Sequence, residues 1–96
     1  MTVVGTEKKA VVKYTDMNEQ KQQTAVDCCA AVMERFSDTQ DIAKYIKHEF
    51  DRRFGGVWQC VVGKFFGCYV THQPENFIYF TLSGLAVLLF QAKPKE

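Results

Sequence analysis

The spacing of apolar residues changes at Gly55-Gly56, and this change restricts the possible folds more than any other feature of the chain. Before it, apolar positions recur at helical intervals. Asp16 precedes Met17-Asn18-Glu19, an aspartate cap with glutamate three residues on, which predicts a helix start. The inner stripe of that helix would be Ala25, Cys28 or Cys29, Val32 and Phe36. Ser37-Asp38-Thr39-Gln40 breaks the stripe and supplies new caps. A second helix follows, with Ile42, Tyr45, Ile46 and Phe50 inward and Lys44, Lys47, His48, Asp51 and Arg52 outward. The glycine pair stops it, and Arg52-Arg53 occupy the last turn, where cations favour the helix dipole.

Beyond the glycines the texture is that of strands, over 58–62, 65–71, 77–82 and 85–92, separated by Gly63-Lys64, a loop with Pro74, and Ser83-Gly84. A further β-rich run, Ala10-Val11-Val12-Lys13-Tyr14, precedes the helices. Residues 1–8 have no sustained period and read as a flexible arm, and residues 93–96 read as a tail. The order β-α-α-β-β-β-β lacks the strand-helix alternation of a parallel sheet. It predicts an α+β fold, two helices packed on an antiparallel sheet, in one domain over 9–92.

Size and charge narrow the function. Ninety-six residues, 47% of them hydrophobic, can bury a core without metal or disulfide staples. Twelve basic against eleven acidic residues leave a net charge of +1, which gives no phosphate-tracking surface. The most apolar stretch, 85–90, is far shorter than the ~18 residues of a membrane span. With no leader-like start, the four cysteines read as reduced thiols of a cytosolic protein, and neither nucleic acid nor membrane is expected as a partner.

Three motifs invite a chemical reading. Cys68 and His72 suggest a thiol nucleophile and its base, but four residues along a strand are ~13 Å apart, beyond proton-transfer contact. Adjacent Cys28 and Cys29 point ~100° apart on a helix and lack the usual spacer of a zinc pair, so small buried hydrophobes is the better account. Lys64-Phe65-Phe66-Gly67-Cys68-Tyr69-Val70 echoes the signature strand of RNA-recognition domains, but Phe65 stands at a glycine position and Cys68 at an aromatic one. Neither catalysis nor a cofactor is expected.

Several runs carry a resemblance. Upstream these are Lys9-Ala10-Val11-Val12-Lys13, Asp16-Met17, Gln22-Gln23, Ala25-Val26-Asp27-Cys28 and Asp41-Ile42-Ala43-Lys44-Tyr45-Ile46-Lys47. Downstream are Asp51-Arg52-Arg53-Phe54, Trp58-Gln59-Cys60-Val61-Val62-Gly63-Lys64, Phe66-Gly67-Cys68-Tyr69-Val70-Thr71-His72 and Phe77-Ile78-Tyr79-Phe80. Together they resemble the small dimeric type of dynein light chain. The resemblance implies a homodimer in which the strand over 65–71 is exchanged between subunits, with Trp58, Gln59, Gly63, Lys64, Phe66, Tyr69 and Thr71 at the interface. It implies a groove lined by Lys13, Thr39, Gln40, Phe66, Gly67, Cys68, Tyr69, Val70, Thr71, His72, Phe77, Tyr79 and Thr81. There an extended, disordered partner segment with a Thr-Gln-Thr-like motif adds as a strand, its main-chain hydrogen bonds holding it and side-chain pockets selecting it. Gly67, bare amid bulky neighbours, fits close approach by another backbone. The implied partners include the dynein intermediate chain, with microtubules reached only indirectly, and the implied location is the cytoplasmic cytoskeleton. The alternative is a structural oligomerisation module without peptide selectivity.

The departures are specific. Thr39 and Gln40 stand where the family carries an acidic residue and lysine, Gln59 where a titrating histidine follows the tryptophan, Ala92 where a regulatory serine lies, and Cys68 and Thr81 where serine and tyrosine are commoner.

Overall fold

The structure, a computed structural model, describes residues 2–4, 10–64 and 76–92, the first three by their backbone alone. The elements are β1 (Thr2–Val4), β2 (Ala10–Thr15), α1 (Glu19–Met33), α2 (Thr39–Phe54), β3 (Trp58–Gly63), β4 (Phe77–Leu82) and β5 (Leu85–Gln91). Among the described residues the strands form one antiparallel sheet in the order β1-β2-β4-β5-β3. The α+β expectation therefore holds, with two helices on an antiparallel sheet. The strand expected over 65–71 lies outside the described residues. The arm expected over 1–8 is corrected in part: Thr2–Val4 pair with β2, because Thr2-Val3-Val4 is β-favouring and an open strand edge lies beside it.

The core fills one side of the sheet. Ala10 and Val12 of β2, Trp58 and Val62 of β3, Ile78, Phe80 and Leu82 of β4, and Val87 and Leu89 of β5 meet Ala25, Val26, Cys28, Cys29 and Val32 of α1 and Ile42, Ile46 and Phe50 of α2. Alternate strand residues point to one face, so this set gathers every second residue of each strand. Tyr45, expected inward, is only half-buried at the margin of the core.

Two expectations about α1 are corrected. Its cap is Asn18, whose side chain accepts from Lys21 N at 2.8 Å, whereas the carboxylate of Asp16 accepts the backbone N–H of Phe77 at 2.9 Å. Asp16 N also donates to Phe77 O (3.2 Å), as does the Thr15 hydroxyl (2.7 Å). The two residues before the helix are thus committed to the start of β4, and the cap falls to the next polar residue. Phe36 does not join the inner stripe. The helix ends at Met33, and Phe36 lies beyond it, 36% exposed, with the Arg35 guanidinium 5.7 Å from its ring.

The cap at Asp38 holds: its carboxylate accepts Gln40 N at 2.7 Å and starts α2. The turn from α2 into β3 is stapled on several sides. Trp58 N donates to the Asp51 carboxylate (2.8 Å), and Trp58 Nε1 to Gly55 O (3.0 Å). The indole ring lies 5.0 Å from Phe50 and 6.0 Å from Phe54 between centroids. Gln91 Nε2 donates to the same Gly55 carbonyl, and its Oε1 accepts from Asn76, whose own oxygen accepts from Lys21 at 2.6 Å. One carbonyl thereby joins the end of β5 to the helix-strand turn.

Gly55 and Gly56 both have positive φ, +73° and +77°, but their surroundings differ. A Cβ on Gly55 would meet nothing within 4 Å, whereas one on Gly56 would stand 1.9 Å from Gln91 Nε2. Gly55→Ala should cost about 1 kcal/mol of backbone strain, and Gly56→Ala about 2–3 kcal/mol, because the Gln91 side chain must also leave its hydrogen bonds. Urea unfolding midpoints of the two variants measure that difference, and equal losses would mean that Gln91 yields freely.

Candidate protein-interaction surface

The side of the sheet turned away from the helices is also largely apolar, with Gln59 and Thr81 as polar members. The strand registers line up three rows across it: Gln59, Phe90 and Phe77; Val61, Leu88, Tyr79 and Tyr14; and Gly63, Ala86, Thr81 and Val11. None of these residues carries a charge. Ala86, Leu88 and Phe77 are buried, while Tyr14 (66%) and Val61 (47%) are exposed. The Tyr14 ring meets Phe77 edge-on at 5.4 Å. Exposed Tyr14 and Val61 at the sides of this charge-free face make it a candidate surface for another chain.

The described part of the expected groove divides in two. Phe77, Tyr79 and Thr81 stand in line along β4 on this outer face, and Lys13 is exposed at its margin, at a register shift between Val12 and Tyr14. Thr39 and Gln40 form the first turn of α2, Thr39 half-buried and Gln40 exposed. The turn at 55–57 sends β3 back along α2, so Thr39-Gln40 come towards the Gly63 end of β3, on the helix side of the sheet. Two strand spacings, ~10 Å, separate β4 from β3. Within one chain Thr39-Gln40 therefore belong to the β3 end of the sheet, and Phe77, Tyr79 and Thr81 to a strand two places away. Phe66, Gly67, Cys68, Tyr69, Val70, Thr71 and His72 lie outside the described residues.

Among the expected interface residues, Gln59 and Lys64 are exposed and Gly63 half-buried. The Trp58 side chain is fully buried, held by Phe50, Phe54 and two hydrogen bonds. Sequence reasoning passed over Tyr14, Val61, Ala86, Leu88 and Phe90. The signal was present in the unbroken apolar run from Leu85 to Phe90, because a strand apolar at consecutive positions has two faces to bury.

The backbone edge of β3 completes the surface. Among the described residues β3 pairs with β5 alone, at every position from Trp58 to Gly63, and it ends the sheet. Among the described residues no strand pairs with its other side, whose N–H and C=O groups are a template for an added strand.

The helical side carries a polar cavity. A cavity of about 250 Å³ lies between α1 and α2, lined by Thr24, Asp27, Cys28, Ala31, Tyr45, Glu49 and Arg53. Hydrogen bonds from Arg52 and then Arg53 hold the Glu49 carboxyl below the usual carboxylate range. Burial, aided by the Glu49 charge, pushes the Cys28 thiol up to about 11 against a smaller opposing effect of Arg53. Burial raises the Cys60 thiol as well. For Asp51, burial opposes ionisation, but hydrogen bonds from Lys47 and the Trp58 N–H, with the Lys47 and His48 charges, outweigh it and lower the carboxyl's pKa. Its stabilising effect is present above the unfolded carboxylate range and is lost as pH falls through the lower, folded value.

Cys28 and Cys29 are both buried, with Cys29 Sγ 3.7 Å from Met33 Sδ. Among the described residues no three of His, Cys, Asp and Glu are grouped to hold a metal. A thiol with pKa near 11 is mostly protonated at pH 8, so Cys28 should react with a disulfide reagent about a hundredfold more slowly than an exposed thiol, and accelerate as pH rises or on denaturation. Rapid labelling of Cys28 in the folded protein at pH 8 would contradict this.

Comparison with known proteins agrees with the fold. A family model described as dynein light chain type 1 matches residues 9–92, most of the chain. The chain belongs to the dynein light chain family. Solved structures share its architecture at low identity. The dynein light chain-like domain of the Fasciola hepatica calcium binding protein FhCaBP2 superposes with a TM-score of 0.80 in its mercury derivative, at 21% identity over 99% of this chain and 100% of that one. The native form of that domain gives 0.77 at 22% identity, over 91% of this chain and 94% of that one. The DLC-like domain of CsTAL3 gives 0.69 at 19% identity, over 85% and 90%.

Proposed function

We propose that this chain is a non-catalytic, dimeric hub that holds extended segments of partner proteins by strand addition. The observation that carries the reading is the regular edge of β3, which no other described strand covers, beside a charge-free outer sheet face. Burying that face against a second copy would remove Val61 and Tyr14 from water, and apolar area so removed contributes ~25 cal/mol per Å². Exchange of the 65–71 strand between subunits would pair the β3 edge. An incoming segment would then pair with the exchanged strand, between the start of α2 and the outer row of β4. The separation of Thr39-Gln40 from Phe77, Tyr79 and Thr81 within one chain supports a groove to which both subunits contribute.

The partners in this reading are disordered segments with Thr-Gln-Thr-like motifs, the dynein intermediate chain among them. The setting is the dynein complex of the cytoplasmic cytoskeleton, with microtubules met only through that complex. Family membership supports dynein components as partners, and no described helix is long and apolar enough to cross a membrane. Each added main-chain hydrogen bond contributes ~0.5–1.5 kcal/mol net, so one segment binds moderately after its ordering cost. Two grooves on one dimer raise the avidity of a dimeric partner by ~10² to 10⁴. The output is to hold two disordered chains side by side.

Calorimetric titration with a peptide carrying a Thr-Gln-Thr core should show one peptide per subunit and no uptake of a scrambled control. A pre-dimerised peptide should bind more tightly. A folded dimer that takes no peptide would leave the structural oligomerisation module as the reading, and equal affinity for monovalent and dimerised peptides would remove the hub.

Acid response supplies a second test. Gln59 lies exposed on β3 opposite Phe90 and carries no titrating group. The dimer should therefore persist at mildly acidic pH. Sedimentation that finds monomer at pH 5–6, where a histidine would be charged, would refute that.

A further inference from the structure

The two ends of the sheet are built differently, and the difference lies in how each edge is closed. At one end β3 is six residues long, pairs with β5 without a register shift, and has no charge or proline from Trp58 to Gly63. Nothing in it discourages chain addition. At the other end β1 pairs with β2 through Thr2↔Val12, Val3↔Val11 and Val4↔Ala10, and so covers the first half of the β2 edge. Beyond Val12 the register shifts, and Lys13 stands exposed at that shift. A bulge twists an edge out of line, and a lysine there must be desolvated before another strand can pair, so the second half is closed by other means.

We infer that β2 carries a second strand-acceptor edge, that β1 occupies it in cis, and that a second copy of this chain takes it when β1 is displaced. The exposed run would be Ala10-Val11-Val12, two of its three residues β-branched. Two copies can pair antiparallel about Val11 and Val12, which sets each Lys13 opposite an Ala10 rather than another Lys13 and avoids like-charge opposition. By holding this edge, β1 leaves β3 as the sheet's regular acceptor among the described strands. The guard rests on the sheet geometry alone. Its consequence, that partner chains add only on the β3 side, rests on the strand-addition reading above.

The test is the full-length variant Val3→Pro/Val4→Pro. Successive strand residues aim their N–H groups to opposite sides, so whichever of the two donates to β2 is lost. Retention of the near-ultraviolet signal of Trp58, which is buried far from β1 in the sheet order, reports an intact core. Backbone amides of β2 that face β1 should exchange about tenfold faster or more. Sedimentation equilibrium should find a concentration-dependent species heavier than the unaltered protein forms. Unchanged exchange would overturn the guard, and faster exchange with unchanged mass would overturn the acceptor edge. Should the prolines disturb the core, Val3→Gly/Val4→Gly weakens the same pairing and should shift both readouts the same way. Peptide titration of the unaltered protein separates the two ideas. If it takes no peptide while the variant still self-associates, the guard stands and addition at β3 falls.

Discussion

Burial of the central strands on both faces governs this molecule. Val87 and Leu89 of β5 are buried against the helices, and Ala86 and Leu88 are buried on the opposite side. A strand apolar in both directions cannot face water, so the sheet needs a layer on each side. The helices supply the first through Ile42, Ile46 and Phe50 of α2 and the small residues Ala25, Cys28 and Cys29 of α1. The outer face still exposes Tyr14 and Val61.

The helix-strand turn then decides which edge is offered. Gly55 O receives both Trp58 Nε1 and Gln91 Nε2, while Asp51 receives Trp58 N. These bonds hold β3 against α2 and send it back towards Thr39-Gln40, at the limit of the sheet. Had β3 been placed between other strands, its backbone would be saturated and no edge would remain. A packing decision at Trp58 is thus also a decision about interaction.

Several polar groups among the described residues serve structure. The Asp16 carboxylate serves β4, Glu49 serves Arg52 and Arg53, and the thiols of Cys28 and Cys60 are held protonated by burial. This leaves the Cys28 thiol at the helical cavity mostly protonated at neutral pH.

Much of this was legible from residue order. Helical spacing in 42–50, the cap at Asp38, the glycine stop at 55–56 and the strand texture beyond it are local effects of side-chain direction and backbone freedom, and the structure follows them. The family resemblance, read from continuous runs, extended to the matched domain. What only tertiary structure decided was competition and placement. Asp16 could cap α1 or bind Phe77, and the nearness of β4, sixty-one residues away, chose the latter. Trp58 could face a partner or the core, and Phe50 and Phe54 claimed it. Strand order, the division of the groove residues between two faces, and the pairing of Thr2–Val4 with β2 all depend on which elements become neighbours. Local sequence carries propensity, but neighbours distant in the chain are set by the joint burial of every apolar face at once.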